Sequence, residues 1–205
     1  MKAKICGVKD KTILEYITLH PNPPAFVGFI CNYKKSKRFI NLSSLKKILQ
    51  TKKNGTKYVA VLVKPTEKEL LEISNLPFDY YQIYDMSPSE IKKIKEKYKI
   101  KIIVAITVKE KKDVMTYKNY TKIANIFLFD GKGYEKSMSF NHSLIKNIKS
   151  KNKIMIAGDI KIDDALEKFK KIAHIIDISG GLETSGLKDT SKIDFFLNKI
   201  KQIND

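Results

Sequence analysis

Several things are scarce in this chain of 205 residues, and each scarcity removes a class of protein. Two cysteines, Cys6 and Cys31, are too few for a disulfide framework, which points to a reducing compartment. No apolar run approaches the roughly 18 residues that a membrane span requires. The opening MKAKICGVKD holds no hydrophobic stretch of the kind a secretory signal needs, so a cytoplasmic location is expected. Proline- and serine-rich linkers are missing too, and one domain over residues 1–205 follows. The three histidines have no acidic or cysteine partner at metal-ligand spacing, so no metal is expected.

Arginine is the scarcest charge. The net charge is +18, but all 40 basic residues except Arg38 are lysine. Base-reading proteins favour the bidentate fork of arginine. The lysines also spread over every helical segment, as in Lys46-Lys47, Lys92-Lys93 and Lys170-Lys171, instead of forming one stripe. This is a solvating pattern, and no nucleic-acid or membrane partner is expected. A positive field nevertheless speeds capture of an anionic small molecule.

What is present is 42% hydrophobic residues in short runs that alternate with charged segments of helical period. Strand candidates lie at 3–6, 25–30, 58–63, 80–84, 102–106, 124–129, 154–158 and 175–178. Helical segments fall near 10–20, 42–50, after Thr66, after Ser87-Pro88, 109–119, from 141, 163–171 and from 191. Thr66 with Glu69 forms a capping box, and Pro88 suits a first helical turn. Continuous apolar strands in strict alternation with helices require a parallel sheet with both faces covered. The expected class is α/β, a (β/α)8 TIM barrel of eight parallel strands, with a doubly wound open sheet as the rival.

In a barrel the chemistry sits at the carboxyl ends of the strands. Period two puts Lys4 and Cys6 on one face of the first strand and Ala3 and Ile5 on the other. On the residues alone, Cys6 is either a small buried hydrophobe or a thiol at the barrel mouth. Ala124, Ile126, Leu128 and Asp130 share a face of the sixth strand, and Asp130 is either a turn cap or a mouth carboxylate. After strands seven and eight come Gly158-Asp159 and Ser179-Gly180-Gly181. Backbone N–H groups of Gly158, Asp159, Gly180 and Gly181, with the Ser179 hydroxyl, suit a phosphate there.

These motifs, in order, resemble those of the phosphoribosylanthranilate isomerases of tryptophan biosynthesis. The resemblance runs through Lys4-Ile5-Cys6-Gly7, Val27-Gly28-Phe29, Ser36-Lys37-Arg38-Phe39-Ile40, Gln82, Asp130, Ala157-Gly158, Asp177-Ile178-Ser179, Gly181-Leu182-Glu183 and Gly186-x-Lys188-Asp189. It implies an Amadori rearrangement of N-(5'-phosphoribosyl)anthranilate without a cofactor. Asp130 would be the general acid and Cys6 the general base, its thiol acidified by a charge such as that of Lys4. Arg38 would meet the anthranilate carboxylate, and Gln82 would also bind the substrate. A monomer is expected, with a homodimer as the alternative. Other phosphosugar barrels, or a basic barrel that binds anionic polymers without catalysis, stay open.

The chain also departs from that family. Tyr84-Asp85 replaces histidine-glycine, and the loop from Gly131 to Ser137 replaces a longer glycine-rich one. Phe140-Asn141-His142 replaces phenylalanine-aspartate-tryptophan, and Gly180 replaces a serine. Asp159 replaces a glycine of the phosphate turn and is expected to point outward and cap the next helix. His142 is expected at the surface where a helix starts, His20 in a turn, and His174 on the stability face of the barrel.

Overall fold

The apolar runs become strands because each buries two faces at once, one against helices and one against the barrel interior. In the computed structural model, which describes residues 1–131 and 139–205, eight parallel strands close in sequence order. They are β1 (Lys2–Cys6), β2 (Phe26–Ile30), β3 (Lys57–Val63), β4 (Tyr80–Tyr84), β5 (Lys101–Thr107), β6 (Ile126–Asp130), β7 (Lys153–Ile156) and β8 (Ile175–Ile178). Closure is made by β8 pairing with β1, with Ala3 opposite Ile176 and Lys4 opposite Asp177. The barrel therefore has no open edge, and the doubly wound alternative is excluded.

Side chains alternate as the pleat dictates. Ile5, Phe29, Leu62, Ile83, Phe127 and Phe129 face outward into one continuous core with the helices. Phe26, Val59, Val61, Ile103, Leu128 and Met155 fill the barrel interior. The outer core is rich in aromatic rings set edge to face. Phe29, fully buried, meets Tyr58 at 5.3 Å and Phe78 at 6.1 Å between ring centres.

Helices begin where side chains satisfy the first free N–H groups. Asp10 caps α1 (Lys11–Leu19) and Asn41 caps α2 (Leu42–Ile48). Thr66 and Glu69 close a full capping box on α3 (Glu67–Ile73), and Ser87 and Glu90 close another on α4 (Pro88–Tyr98). The segments after β5, β6 and β7 are less helical than their sequence pattern suggests. Helix α5 (Lys111–Met115) continues as a 3-10 turn through Tyr120. Among the described residues between β6 and β7 there is a single 3-10 turn, at His142–Ile145. Asparagine and serine explain the shortfall, because they bond the local backbone and compete with helix. Asn141 accepts from the Ser143 N–H, while Ser150 closes a turn onto Asn152. Likewise Asp164 accepts from the Lys161 N–H, and α6 begins only at Glu167 and ends at Lys170.

One element has no counterpart in the sequence reading. Strands β9 (Glu183–Thr184) and β10 (Leu187–Lys188) form a small hairpin after β8. Its turn residues Ser185 and Gly186 both have positive φ, as a two-residue hairpin turn requires. Asp189 then caps α7 (Thr190–Asn204), accepting from the Ser191 and Lys192 N–H groups.

Phe29 tests how far the outer core carries stability. Phe29→Ala removes a fully buried ring with two aromatic neighbours, and should cost about 3–5 kcal/mol. Urea unfolding of the variant beside the parent measures that loss directly.

Candidate active site

The carboxyl ends of the strands enclose a cavity of about 370 Å³. Cys6, Arg38, Gln82, Asp130, Gly158, Asp159, Ser179 and Gly180 all line it. Gly181 does not. It lies behind the wall, where an added Cβ would sit 2.4 Å from the Ile160 carbonyl oxygen. The turns after β7 and β8 thus touch backbone to backbone, which only glycine permits.

The floor begins with Lys4. Its side chain is fully buried because the β1–β8 register sets it opposite Asp177, and Nζ reaches Oδ2 at 2.6 Å. Burial alone would drive the lysine toward neutrality, but Asp177 and Cys6 beside it hold its pKa above the ordinary value. Gly28 makes room for the group: a Cβ there would stand 2.8 Å from the Cys6 sulfur and 3.1 Å from Lys4 Nζ.

Cys6 corrects one expectation. Burial raises its pKa above that of a free thiol, and this outweighs the lowering by Lys4. The reason is that Lys4 is already neutralised by Asp177, whose own charge further opposes a thiolate. Cys31 plays no part here. Its thiol donates to the Phe29 carbonyl, and burial pushes its pKa up.

Asp130 ends β6 at 8% exposure, on the same inward face as Ile126 and Leu128. Desolvation lifts its pKa to about 6, against the pull of a Tyr84 hydrogen bond. Tyr84 donates its hydroxyl to Asp130 Oδ2 at 2.9 Å and accepts from Gln82 Nε2 at 3.3 Å.

Arg38 enters from the loop after β2. Its stem crosses Gly7, where a Cβ would lie 2.4 Å from Arg38 Cδ, and Gly7 has φ +75°. Its fork grips Glu183 through Nε at 2.5 Å and one terminal nitrogen at 2.8 Å. Glu183 also accepts from Lys188 Nζ at 2.8 Å, and Lys188 donates to the Ser179 carbonyl at 2.9 Å. The β9–β10 hairpin therefore buttresses Arg38 and the turn after β8 together. Ser179 donates its single hydroxyl proton to the Cys6 carbonyl at 2.9 Å, so it is not a free donor toward an anion.

Two further expectations change. Asp159 is exposed, with φ +51°, but the cap position of α6 is Leu166, so Asp159 does not cap that helix. His142 is half-buried instead of superficial, with its ring 4.6 Å from that of Phe140 and 5.0 Å from that of Phe169. It bonds the Ala157 carbonyl, and burial lowers its pKa. His20 is tied at the end of α1 to Asp194, and His174 accepts from the Ile154 N–H at the opposite end of the barrel. The loop that departs from the family pattern after β6 lies, beyond Gly131, outside the described residues.

Sequence reasoning gave no role to Tyr84, Asp177, Glu183 or Lys188. Strand parity could have found Asp177, a carboxylate two residues from Ile175 on the inward face of β8. No local signal links Arg38 to Glu183, which is 145 residues away.

A closed parallel barrel with an acid, a thiol and a clamped arginine around one mouth is the frame of a (β/α)8-barrel enzyme. Comparison with known proteins makes this specific. The model of the N-(5'phosphoribosyl)anthranilate (PRA) isomerase family matches residues 3–199, and the chain belongs to that family of isomerases. An N-(5'-phosphoribosyl)anthranilate isomerase of Rhizobium johnstonii is 32% identical over 212 residues, covering 98% of this chain and 94% of the relative. The crystal structure of the phosphoribosyl anthranilate isomerase from Thermotoga maritima superposes with a TM-score of 0.86 at 24% identity, covering 98% of this chain and 99% of that one. A phosphoribosyl anthranilate isomerase solved with reduced 1-(o-carboxyphenylamino)-1-deoxyribulose 5-phosphate gives 0.81 at 23% identity, covering 98% and 99%. Among the described residues, no helix is long and apolar enough to cross a membrane.

The raised Asp130 pKa has a consequence for stability. A carboxyl whose pKa is about 6 when folded and an ordinary 3.8 when unfolded favours the folded state most below pH 4, and loses that contribution as pH rises through 6. Asp130→Asn, neutral at every pH, should therefore be more stable than the parent at pH 8, by on the order of 3 kcal/mol. The advantage should shrink below pH 6 and vanish near pH 4, as read by chemical denaturation across that range.

Proposed function

We propose that the protein isomerises N-(5'-phosphoribosyl)anthranilate to 1-(2-carboxyphenylamino)-1-deoxyribulose 5-phosphate, with Asp130 as acid and Cys6 as base. One observation carries the assignment of roles: both groups line a single cavity, and Asp130 is held near pH 6. A carboxyl at that pKa still carries a proton in an appreciable fraction of molecules near neutral pH, whereas one at 3.8 does not. Its proton passes to the ribose ring oxygen as the C1–O bond breaks, and the anilino nitrogen lone pair forms the iminium. The Cys6 thiolate then removes the C2 proton, giving an enolamine that tautomerises to the ketone. Lys4 beside the sulfur stabilises the thiolate for as long as it lasts.

The remaining wall supports the same reading. The N–H groups of Gly158, Asp159 and Gly180 suit the substrate phosphate. Arg38, fixed by Glu183, keeps further N–H donors for the anthranilate carboxylate. Gln82 has its amide nitrogen on Tyr84, which leaves Oε1 to accept from a sugar hydroxyl. Lys35 and Lys37 at the rim, with the net charge of +18, favour entry of an anion. The whole chain acts as one barrel domain in the cytoplasm.

Steady-state turnover of this substrate is the test. Asp130→Asn and Cys6→Ser should each lower kcat by on the order of 100-fold or more. The productive form holds one proton shared between the pair, on Asp130 and not on Cys6. The kcat/KM profile should therefore be a bell, its acid limb near pH 6 and its alkaline limb above the ordinary thiol range. A folded variant with parental turnover would remove that residue from its role. Arg38→Lys keeps the charge but loses the fork, and should raise KM about tenfold or more.

A further inference from the structure

The reaction needs a proton delivered from one particular oxygen of Asp130, and a carboxyl group has two. Three inward-facing side chains resolve this choice. Gln82 Nε2 donates to the Tyr84 hydroxyl oxygen at 3.3 Å, and Tyr84 donates to Asp130 Oδ2 at 2.9 Å. Gln82 is 1% exposed and Tyr84 3%, so solvent does not compete for either bond. Gln82 presents its amide NH2 to the phenol oxygen, so the single hydroxyl proton of Tyr84 goes to the carboxyl.

We propose that Tyr84 is a positioning residue for the acid: its hydroxyl occupies Oδ2 of Asp130 and thereby confines the transferable proton to Oδ1. The inference rests on the reading of Asp130 as the acid. Oδ2 already accepts the phenol proton at 2.9 Å, and a proton placed there would make it a hydroxyl oxygen, a poorer acceptor for that bond than a carbonyl or carboxylate oxygen. A proton on Oδ1 leaves the Tyr84 bond intact, and that bond strengthens when Asp130 becomes a carboxylate. Tyr84 thus stabilises the anion left behind and orients the group before transfer. Burial and the neighbouring carboxyl keep the phenol itself protonated throughout.

Other charged or titratable groups also face Asp130, and they separate orientation from simple charge tuning. Lys4 on β1 favours the carboxylate and Asp177 on β8 opposes it, while the Gly131 N–H also bonds the carboxyl and Cys6 lies across the cavity. None of these is altered by Tyr84→Phe. Losing the phenol removes support for the anion, so the Asp130 pKa must rise and more of the enzyme carries the proton at pH 7. If Tyr84 acted only on protonation, activity at pH 7 would rise. If it also aims the proton, kcat falls although the protonated fraction grows.

The experiment pairs infrared titration with kinetics. The Asp130 carboxyl band is identified by its loss in Asp130→Asn, and its midpoint is followed with pH in the parent and in Tyr84→Phe. The expected result is a midpoint raised by about one pH unit, an acid limb of kcat/KM that moves with it, and kcat down about tenfold with KM within about twofold. Tyr58→Phe removes another buried phenol, bonded to the Thr51 carbonyl on the outer side of β3, and should move none of these. An unmoved midpoint in folded Tyr84→Phe, or a moved midpoint with kcat at or above the parental value, overturns the proposal alone. Parental turnover in Asp130→Asn overturns the acid role and this proposal with it.

Discussion

The buried ion pair between Lys4 and Asp177 is the contact on which the rest of the site is built. It joins the first strand to the last at the seam where the barrel closes, so its two halves meet only in the finished fold. Desolvating two charges is costly, and the cost is offset only by a short, well-aligned contact such as this one at 2.6 Å. Removing either partner would strand the other in an apolar interior. The pair also sets the chemistry above it. Because Asp177 neutralises Lys4, the thiol of Cys6 is not acidified as a lone lysine would acidify it, and burial dominates.

Around this pair, glycines decide what can approach. Gly28 leaves space for the Cys6 sulfur and the Lys4 ammonium together, Gly7 lets the Arg38 stem cross the end of β1, and Gly181 lets two turns touch. Each is a place where a single methyl group would push apart groups that the site brings together. The β9–β10 hairpin does the complementary work from outside. Through Glu183 and Lys188 it ties the only arginine to the carbonyl of Ser179, and Ser179 in turn bonds the end of β1. Loops from β1, β2 and β8 thus share one hydrogen-bonded frame.

The site is stable only at some expense. Asp130 near pH 6 is a carboxyl denied water, held there by its apolar strand neighbours and by Asp177. Tyr84 and the adjacent N–H return part of the lost solvation. Asp130 and Cys6 differ in how they meet this cost: the carboxyl has neutral donors at hand, whereas the thiol depends on an ammonium already engaged elsewhere. Desolvation moves both groups the same way, upward from their ordinary values.

The linear chain by itself determined the barrel, because eight apolar runs separated by capped helical segments have few other ways to bury two faces each. It also determined which strand ends carry Cys6, Asp130 and the paired glycines, since period-two alternation is a local property. The helix signals at Thr66–Glu69 and Ser87-Pro88 were equally local and equally legible. The weak segment after β6 was less so: its apolar spacing is helical, but its asparagines and serines turn the backbone to other bonds. Tertiary structure alone decided the rest. Whether Cys6 is acidified depends on Asp177, 171 residues away in the chain. What Arg38 grips depends on a hairpin at the far end, and the setting of Asp130 depends on a tyrosine from β4. Charge–charge and desolvation energies depend on distance and burial in the closed barrel, and neither quantity is written along the chain.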